Sequence, residues 1–250
     1  MSYPFITVLY AKREEMGCMS MNSESSPIRG VVFDLDGTIV DSEENYYQSD
    51  VRILARRGVA LTREDKGRFI GYGNRYIMER FIAEFGLADT PDALLEEKNR
   101  EYLAIARSDT SVFPEMRALI EGFFARGVPM AVASGSSPAV IREVLGITGL
   151  RRYFGATVSS EEVPNGKPEP DVFLEAAERI RSAPRNTLVV EDAVYGVIAA
   201  KRAGMRCAVI PTFPEPPFDS RLLEANYVVP GGMREFVAED LLRWADTHGR

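Results

Sequence analysis

The stretch Val31-Val32-Phe33-Asp34-Leu35-Asp36-Gly37-Thr38 is a short apolar run that ends in two aspartates and a glycine turn. Such a run is typical of a buried parallel strand, and we predict one at about 30–35. Open α/β sheets bind ligands at the carboxyl ends of their strands, which is where these aspartates lie. Asp34 and Asp36 point to the same side, because side chains alternate along an extended chain. Together they suit a nucleophile and a proton carrier, although Asp-Gly also occurs in ordinary turns.

The composition is that of an ordinary globular protein and excludes several function classes. The chain has 250 residues and a formal net charge of −7, without a long basic run, which argues against a nucleic-acid partner. Cys18 and Cys207 form neither a metal motif nor a disulfide framework. The single histidine, His248, makes histidine-based metal sites and triads improbable. We expect a cytoplasmic monomer with no nucleic-acid or membrane partner.

Residues 1–28 stand outside the periodic pattern, and we interpret them as a poorly ordered N-terminal extension. Their apolar stretch at 5–10 is far too short to span a membrane. No basic residue precedes it, so it makes a poor signal peptide.

The rest of the chain divides into an alternating pattern and a helical interruption. Helices are predicted near 43–57, 63–70, 73–86 and 92–107, with almost no strand signal between them. Strands and helices alternate afterwards: strands at 128–134, 155–159, 187–191, 207–210 and 227–229, and helices at 115–126, from 138, and at 170–181, 193–203 and 233–247. Alternation of this kind predicts a parallel sheet covered on both faces. We therefore predict an α/β core of residues 29–43 and 109–250 with a helical domain, 44–108, inserted as a lid.

Polar residues end further segments of this core, and each has a chemical use. Ser134, Gly135 and the following backbone N–H groups can donate to phosphate oxygens, in front of a helix that begins near Pro138. Lys167 supplies a cation at neutral pH. Asp192 and Asp34 offer the hard oxygen ligands that suit Mg²⁺. Glu191 is either a further ligand or its outer partner. Each segment alone is more often a loop, a turn or an acidic helix start, and only their joint occurrence at strand ends indicates a site.

The four segments resemble the four motifs of the haloacid dehalogenase (HAD) superfamily. The spans 166–173 and 191–196 are especially similar to the subgroup that contains beta-phosphoglucomutase and phosphoglycolate phosphatase. The resemblance covers about residues 29–245. It implies a Rossmann-like core with an inserted helical cap.

The resemblance also implies a role for each motif residue. Asp34 would be the nucleophile and form an aspartyl-phosphate, and Asp36 would protonate the leaving alcohol and then deprotonate water. Mg²⁺ would bind Asp34, the backbone carbonyl of Asp36, and Asp192, assisted by Glu191. Ser134, Gly135 and Lys167 would hold the phosphoryl group. With an ordinary carboxyl pKa near 3.9, Asp34 is expected to be ionised at pH 7 without an activating base.

Cap positions separate a phosphatase from a phosphomutase. Where beta-phosphoglucomutase has a histidine, this chain has Tyr46, and where it has an arginine, this chain has Asn74 followed by Arg75. Lys98 matches its cap lysine. Because two of these three features differ, we favour a phosphatase over a mutase. Tyr72 lies between two glycines, and we predict that its loop approaches the substrate closely.

Two other interpretations are weaker. A non-catalytic binding protein on the same fold would have lost an essential carboxylate, and none is lost. A phosphonate or carbon–halogen hydrolase would lack Asp36, because it needs no acid for an alkoxide leaving group. The sequence therefore predicts a Mg²⁺-dependent phosphatase of a small phosphorylated metabolite, such as a sugar phosphate or phosphoglycolate.

Overall fold

The computed structural model describes residues 27–69, 72–212 and 219–248. Most of the predicted N-terminal extension, including Cys18, lies outside the described residues. The strands are β1 Gly30–Phe33, β2 Val40–Asp41, β3 Ser111–Val112, β4 Met130–Ser134, β5 Ala156–Ser159, β6 Thr187–Glu191, β7 Arg206–Val209 and β8 Tyr227–Val228. The helices are α1 Glu43–Ala55, α2 Arg63–Gly67, α3 Asn74–Phe85, α4 Pro91–Ala106, α5 Pro114–Ala125, α6 Pro138–Ile147, α7 Asp171–Arg179, α8 Val194–Arg202 and α9 Ala238–His248.

Six strands form a parallel sheet in the order β5-β4-β1-β6-β7-β8. Alternate residues of β1 enter different cores: Val31 and Phe33 pack on one side of the sheet, and Val32 packs on the other. Helices α5, α6 and α9 contribute to the first core, and α7 and α8 to the second. The predicted α/β fold with both sheet faces covered is confirmed.

Helices α1 to α4 lie between β2 and β3 in the chain, and α1, α3 and α4 share a hydrophobic cluster of their own. We call residues 43–106 the helical segment. Strands β2 and β3 are antiparallel, with Val40 opposite Val112, and they hold the two connections of the segment side by side. The division into a core and an inserted domain at 44–108 stays a prediction.

Several predicted boundaries were wrong by two residues or more, and two of them have a visible cause. Strand β1 ends at Phe33 rather than near 35, because the carbonyl of Leu35 turns to accept hydrogen bonds from the N–H groups of Ile39 and Val40. The last helix begins at Ala238 rather than 233, after a short 3-10 turn. A tertiary contact sets this start, since Ala238 N donates to Glu115 Oε2 at 2.8 Å. Within the described part of the chain, we find no helix with the length and apolar character that a bilayer crossing requires.

Candidate active site

The site lies where the strand order changes direction. From β1 the chain continues to β4 and β5 on one side, and it returns to β6, β7 and β8 on the other. Ligands of open α/β sheets bind in the crevice at such a point. A cavity of about 170 Å³ lies there between the sheet and the helical segment. All the predicted core site residues line it: Asp34, Asp36, Ser134, Gly135, Lys167, Glu191 and Asp192.

Lys167 joins two carboxylates at the base of the cavity. Its Nζ lies 2.5 Å from Asp34 Oδ1 and 2.7 Å from Glu191 Oε1. Burial alone would lower the pKa of Lys167, but the two carboxylates outweigh it and raise that pKa above its usual range. Lys167 therefore stays charged, beside the carboxylate that the sequence predicts to be the nucleophile.

The surroundings of Asp34 shift its ionisation away from that of a carboxyl in water. Burial raises the pKa of Asp34 to about 8, against the attraction of Lys167, and the nearby Glu191 and Asp36 raise it further. A reference pKa describes a carboxyl in water, whereas Asp34 is only 6% exposed. A further cation at the site would favour the ionised form of Asp34.

Asp34, Glu191 and Asp192 form a cluster that could bind such a cation. Each can contribute one carboxylate oxygen, and these oxygens lie within 4.8 Å of one another. Burial and the other two carboxylates also raise the pKa of Asp192 well above its usual range. A set made only of oxygen donors with excess negative charge fits Mg²⁺, so these residues suit the metal that the sequence predicts.

The local contacts distinguish Glu191 from Asp192. Glu191 Oε2 accepts hydrogen bonds from the backbone N–H groups of Asp192 and Ala193, both at 2.7 Å. With its other oxygen on Lys167, Glu191 is already engaged at both ends, which favours a supporting role beside the metal. A side chain at Gly196 would overlap the Glu191 carboxylate, so α8 packs against it only with glycine there.

Asp192 is oriented by two hydroxyl groups. Thr38 Oγ1 donates to Oδ1 at 3.2 Å, and Thr212 Oγ1 donates to Oδ2 at 2.5 Å. Sequence reasoning missed Thr212. Its position just beyond β7, at the same edge of the sheet, was the available signal.

Asp36 accepts hydrogen bonds from hydroxyl groups on several elements. Its Oδ2 lies 2.7 Å from Ser136 Oγ and 3.2 Å from Ser134 Oγ. The hydroxyls of Tyr46 and Tyr102 lie 3.3 Å and 3.5 Å from its carboxylate oxygens. The two tyrosine rings stack at 4.2 Å. The helical segment therefore supplies two of the groups that hold the proposed proton carrier.

Three of the five predicted cap residues line the cavity: Tyr46, Tyr72 and Asn74. The ring centroid of Tyr72 lies 5.2 Å from that of Tyr195 on α8. This contact joins the helical segment to the core at the cavity wall, and the approach of the Tyr72 loop to a substrate stays a prediction.

The structure does not place Arg75 and Lys98 on the cavity wall. Arg75 is exposed, pairs with Asp92, and lines an outer groove next to the cavity. Lys98 is fully buried, with its Nζ 2.8 Å from Asp50 Oδ1. The buried carboxylate of Asp50 accounts for the difference, because it attracts Lys98 into the interface between α1 and α4.

Glu43 and Lys66 line the cavity although the sequence did not single them out. Lys66 Nζ lies 2.6 Å from Asp50 Oδ2. Burial raises the pKa of Glu43, against the attraction of Lys66. Charged residues on helices usually face solvent, so the sequence carried no signal that these two face inward.

Known proteins that are similar to this chain in sequence or in fold agree with this site geometry. A family model described as haloacid dehalogenase-like hydrolase matches residues 28–204. The fructose-1-phosphate phosphatase YqaB of Escherichia coli (strain K12) is 33% identical over 177 residues, which cover 70% of this chain and 93% of that protein. Hexitol phosphatase B of the same strain is 28% identical over 217 residues, covering 86% and 97%. The crystal structure of CbbY from Rhodobacter sphaeroides in complex with phosphate has a similar fold, with a TM-score of 0.75 at 22% identity over 83% of this chain and 96% of that one. The chain belongs to the haloacid dehalogenase-like hydrolase family.

Proposed function

We propose that this phosphoric monoester hydrolase is a Mg²⁺-dependent phosphatase that cleaves a small phosphorylated metabolite through an aspartyl-phosphate on Asp34. The observation that carries the proposal is the placement of Asp34 and Asp36 on one cavity in different surroundings. Asp34 has an ammonium group beside it, as a nucleophile for a phosphate dianion needs. Asp36 is surrounded by hydroxyl groups, as suits a proton carrier.

The first half of the proposed reaction transfers the phosphoryl group to the enzyme. A carboxylate oxygen of Asp34 attacks phosphorus, and the bond between phosphorus and the substrate's alcohol oxygen breaks. Protonated Asp36 gives its proton to that oxygen, so the alcohol leaves neutral. Lys167 and Ser134, with the backbone at Gly135, hold the phosphoryl oxygens.

The second half restores the enzyme. Asp36, now a carboxylate, takes a proton from water while the water oxygen attacks phosphorus. The bond between phosphorus and Asp34 breaks, which frees inorganic phosphate and leaves Asp36 protonated for the next cycle.

Asp34, Asp192 and the backbone carbonyl of Asp36 would hold Mg²⁺, with Glu191 in support. When bound, the ion offsets the negative charge of the phosphoryl group and the carboxylates. The relatives named above are called phosphatases of a phosphorylated sugar and of hexitols, which supports a small phosphorylated metabolite as the substrate. The monomeric state and the cytoplasmic location stay predictions.

The test is inorganic phosphate release from a panel of sugar and polyol phosphates, with Mg²⁺ or with EDTA. We expect release only with the metal, no release by Asp34→Asn, and a strong loss in Asp36→Asn. Asp246→Asn is the matched control, because Asp246 is exposed and pairs with Arg126 at the surface. Circular dichroism confirms that each variant folds. Release by folded Asp34→Asn at the wild-type rate would contradict the mechanism.

A further inference from the structure

We propose that the enzyme selects substrates with one phosphoryl group on an uncharged, hydroxyl-bearing body, and that it rejects a second anionic group. This inference rests on the proposed function, because it concerns the part of the substrate that lies beyond the transferred phosphoryl group. It follows from the charges that the helical segment and the outer groove present to the cavity.

Glu43 places a carboxylate on the cavity wall that faces the sheet. It lies on α1 three residues before Tyr46, so both side chains are on one face of the helix, and both line the cavity. Among the described residues, Glu43 has no hydrogen-bond or ion-pair partner. A carboxylate in this position accepts hydrogen bonds from substrate hydroxyls and repels a second phosphate or a carboxylate.

Lys66 attracts Glu43 electrostatically, but Asp50 holds its ammonium group. It is the only cation that the described residues of the helical segment contribute to the cavity, and its Nζ lies 2.6 Å from Asp50 Oδ2. Asp50 is fully buried. Turning Lys66 toward a substrate anion would weaken the pairing of a buried carboxylate, which is unfavourable.

The cluster of charges to which Glu43 and Lys66 belong is balanced. Lys98 lies 2.8 Å from the second oxygen of Asp50 and is fully buried, so it cannot reach a ligand. The cluster consists of two acids and two bases: Glu43, Asp50, Lys66 and Lys98. It therefore offers a second phosphoryl group no surplus positive charge.

The outer groove is acidic and continues from the cavity. Its volume is about 920 Å³, and it shares wall residues such as Tyr72 and Asn74 with the cavity. Four carboxylates line it against two cations: Glu79, Asp92, Glu96 and Glu161 against Arg75 and Lys167. Arg75 is already paired with Asp92 and Glu79, and Lys167 with Asp34 and Glu191. A longer substrate would therefore meet negative charge there too.

These charges set the size of the expected selectivity. If a second substrate anion lay about 7 Å from one of these carboxylates, the repulsion in an effective dielectric near 20 would change kcat/KM by roughly 10- to 100-fold. The difference should appear between substrates that match in everything except one alcohol or carboxylate group.

The experiment measures kcat/KM for phosphate release from two matched pairs, in Mg²⁺. Sorbitol 6-phosphate is compared with 6-phosphogluconate, and glycerol 3-phosphate with 3-phosphoglycerate. For each pair that the enzyme hydrolyses, we expect kcat/KM to be about 10-fold or more higher for the member without a carboxylate. In Glu43→Gln the ratio should fall by about 10-fold, because hydrogen bonding survives while the charge is lost. Glu44→Gln is the control, since Glu44 is exposed and pairs with Arg63, and it should keep the wild-type ratio.

The outcomes separate this inference from the proposed function. Equal or better turnover of the carboxylate members, still abolished by Asp34→Asn, would overturn the selectivity and leave the phosphatase intact. An unchanged ratio in folded Glu43→Gln would also overturn it. Absence of release from these substrates and from the wider sugar phosphate panel would refute the proposed function, and this inference with it.

Discussion

Replacing Lys167 with methionine leaves two buried carboxylates without their shared cation. The side chains of Asp34 and Glu191 are 8% and 2% exposed, and both contact the same ammonium group within 2.7 Å. Removing one partner of a buried ion pair costs about 3–5 kcal/mol. We therefore expect Lys167→Met to lose about 3–5 kcal/mol of the free energy of unfolding at pH 8 without metal.

Mg²⁺ should reduce the difference in the free energy of unfolding between the wild type and Lys167→Met. A ligand at about a hundred times its Kd stabilises the native state by about 2.7 kcal/mol. The variant has more uncompensated negative charge at the site, so it should bind the ion more tightly and gain more stability than the wild type. Urea unfolding, followed by circular dichroism with EDTA and with Mg²⁺, measures both effects.

Lys201→Met is the matched control, because Lys201 is 66% exposed in its side chain and pairs with Glu224 at the surface. It should change stability by less than about 1 kcal/mol, and equally in both conditions. If Lys167→Met were no less stable than this control in EDTA, the ammonium would not hold the two carboxylates as described. A loss that Mg²⁺ leaves unchanged would place the metal elsewhere.

Three further changes test other contacts of the site. Tyr46→Phe removes the hydroxyl that donates to Asp36 and should lower kcat by about 2- to 10-fold with little change in KM. An unchanged kcat would show that this hydrogen bond does not contribute to turnover. Gly196→Ala should displace Glu191, lower stability by about 1–3 kcal/mol and reduce phosphate release, whereas wild-type activity would contradict that packing. Burial lowers the pKa of Lys98 to about 8 from 10.5, so between these values the unfolded chain binds more protons and stability rises with pH. Relative to Lys98→Met, the wild type should gain about 3 kcal/mol from pH 8 to 10.5 in urea unfolding, and parallel curves would refute the shift.

The sequence predicted most of the fold because its elements are long and periodic. The two-residue strands β2 and β3 escaped prediction, since two residues carry no alternation. The start of α9 depends on Glu115, which is distant in the chain, and no local pattern reports that contact.

The core of the site could be predicted for a related reason. The motif residues follow strands whose carboxyl ends meet at one edge, so order along the chain was enough to bring them together. Which charged side chains of the helical segment face the cavity could not be predicted in this way. Lys98 and Lys66 share Asp50, and only the packing of three helices decides which lysine reaches the cavity. The raised pKa of Asp34 is likewise a consequence of burial that composition does not reveal.

The central claim is that Asp34 carries the phosphoryl group during turnover. Acid quenching during turnover of a sugar phosphate that the enzyme hydrolyses, followed by rapid digestion and mass spectrometry at low pH, tests it directly. We predict that the peptide containing Asp34 gains the mass of one phosphoryl group, that the gain disappears in Asp34→Asn, and that hydroxylamine removes it. The account would be contradicted if the enzyme released phosphate, in the burst and in the steady state, without any such adduct. It would also be contradicted by an adduct on another residue that persists in Asp34→Asn.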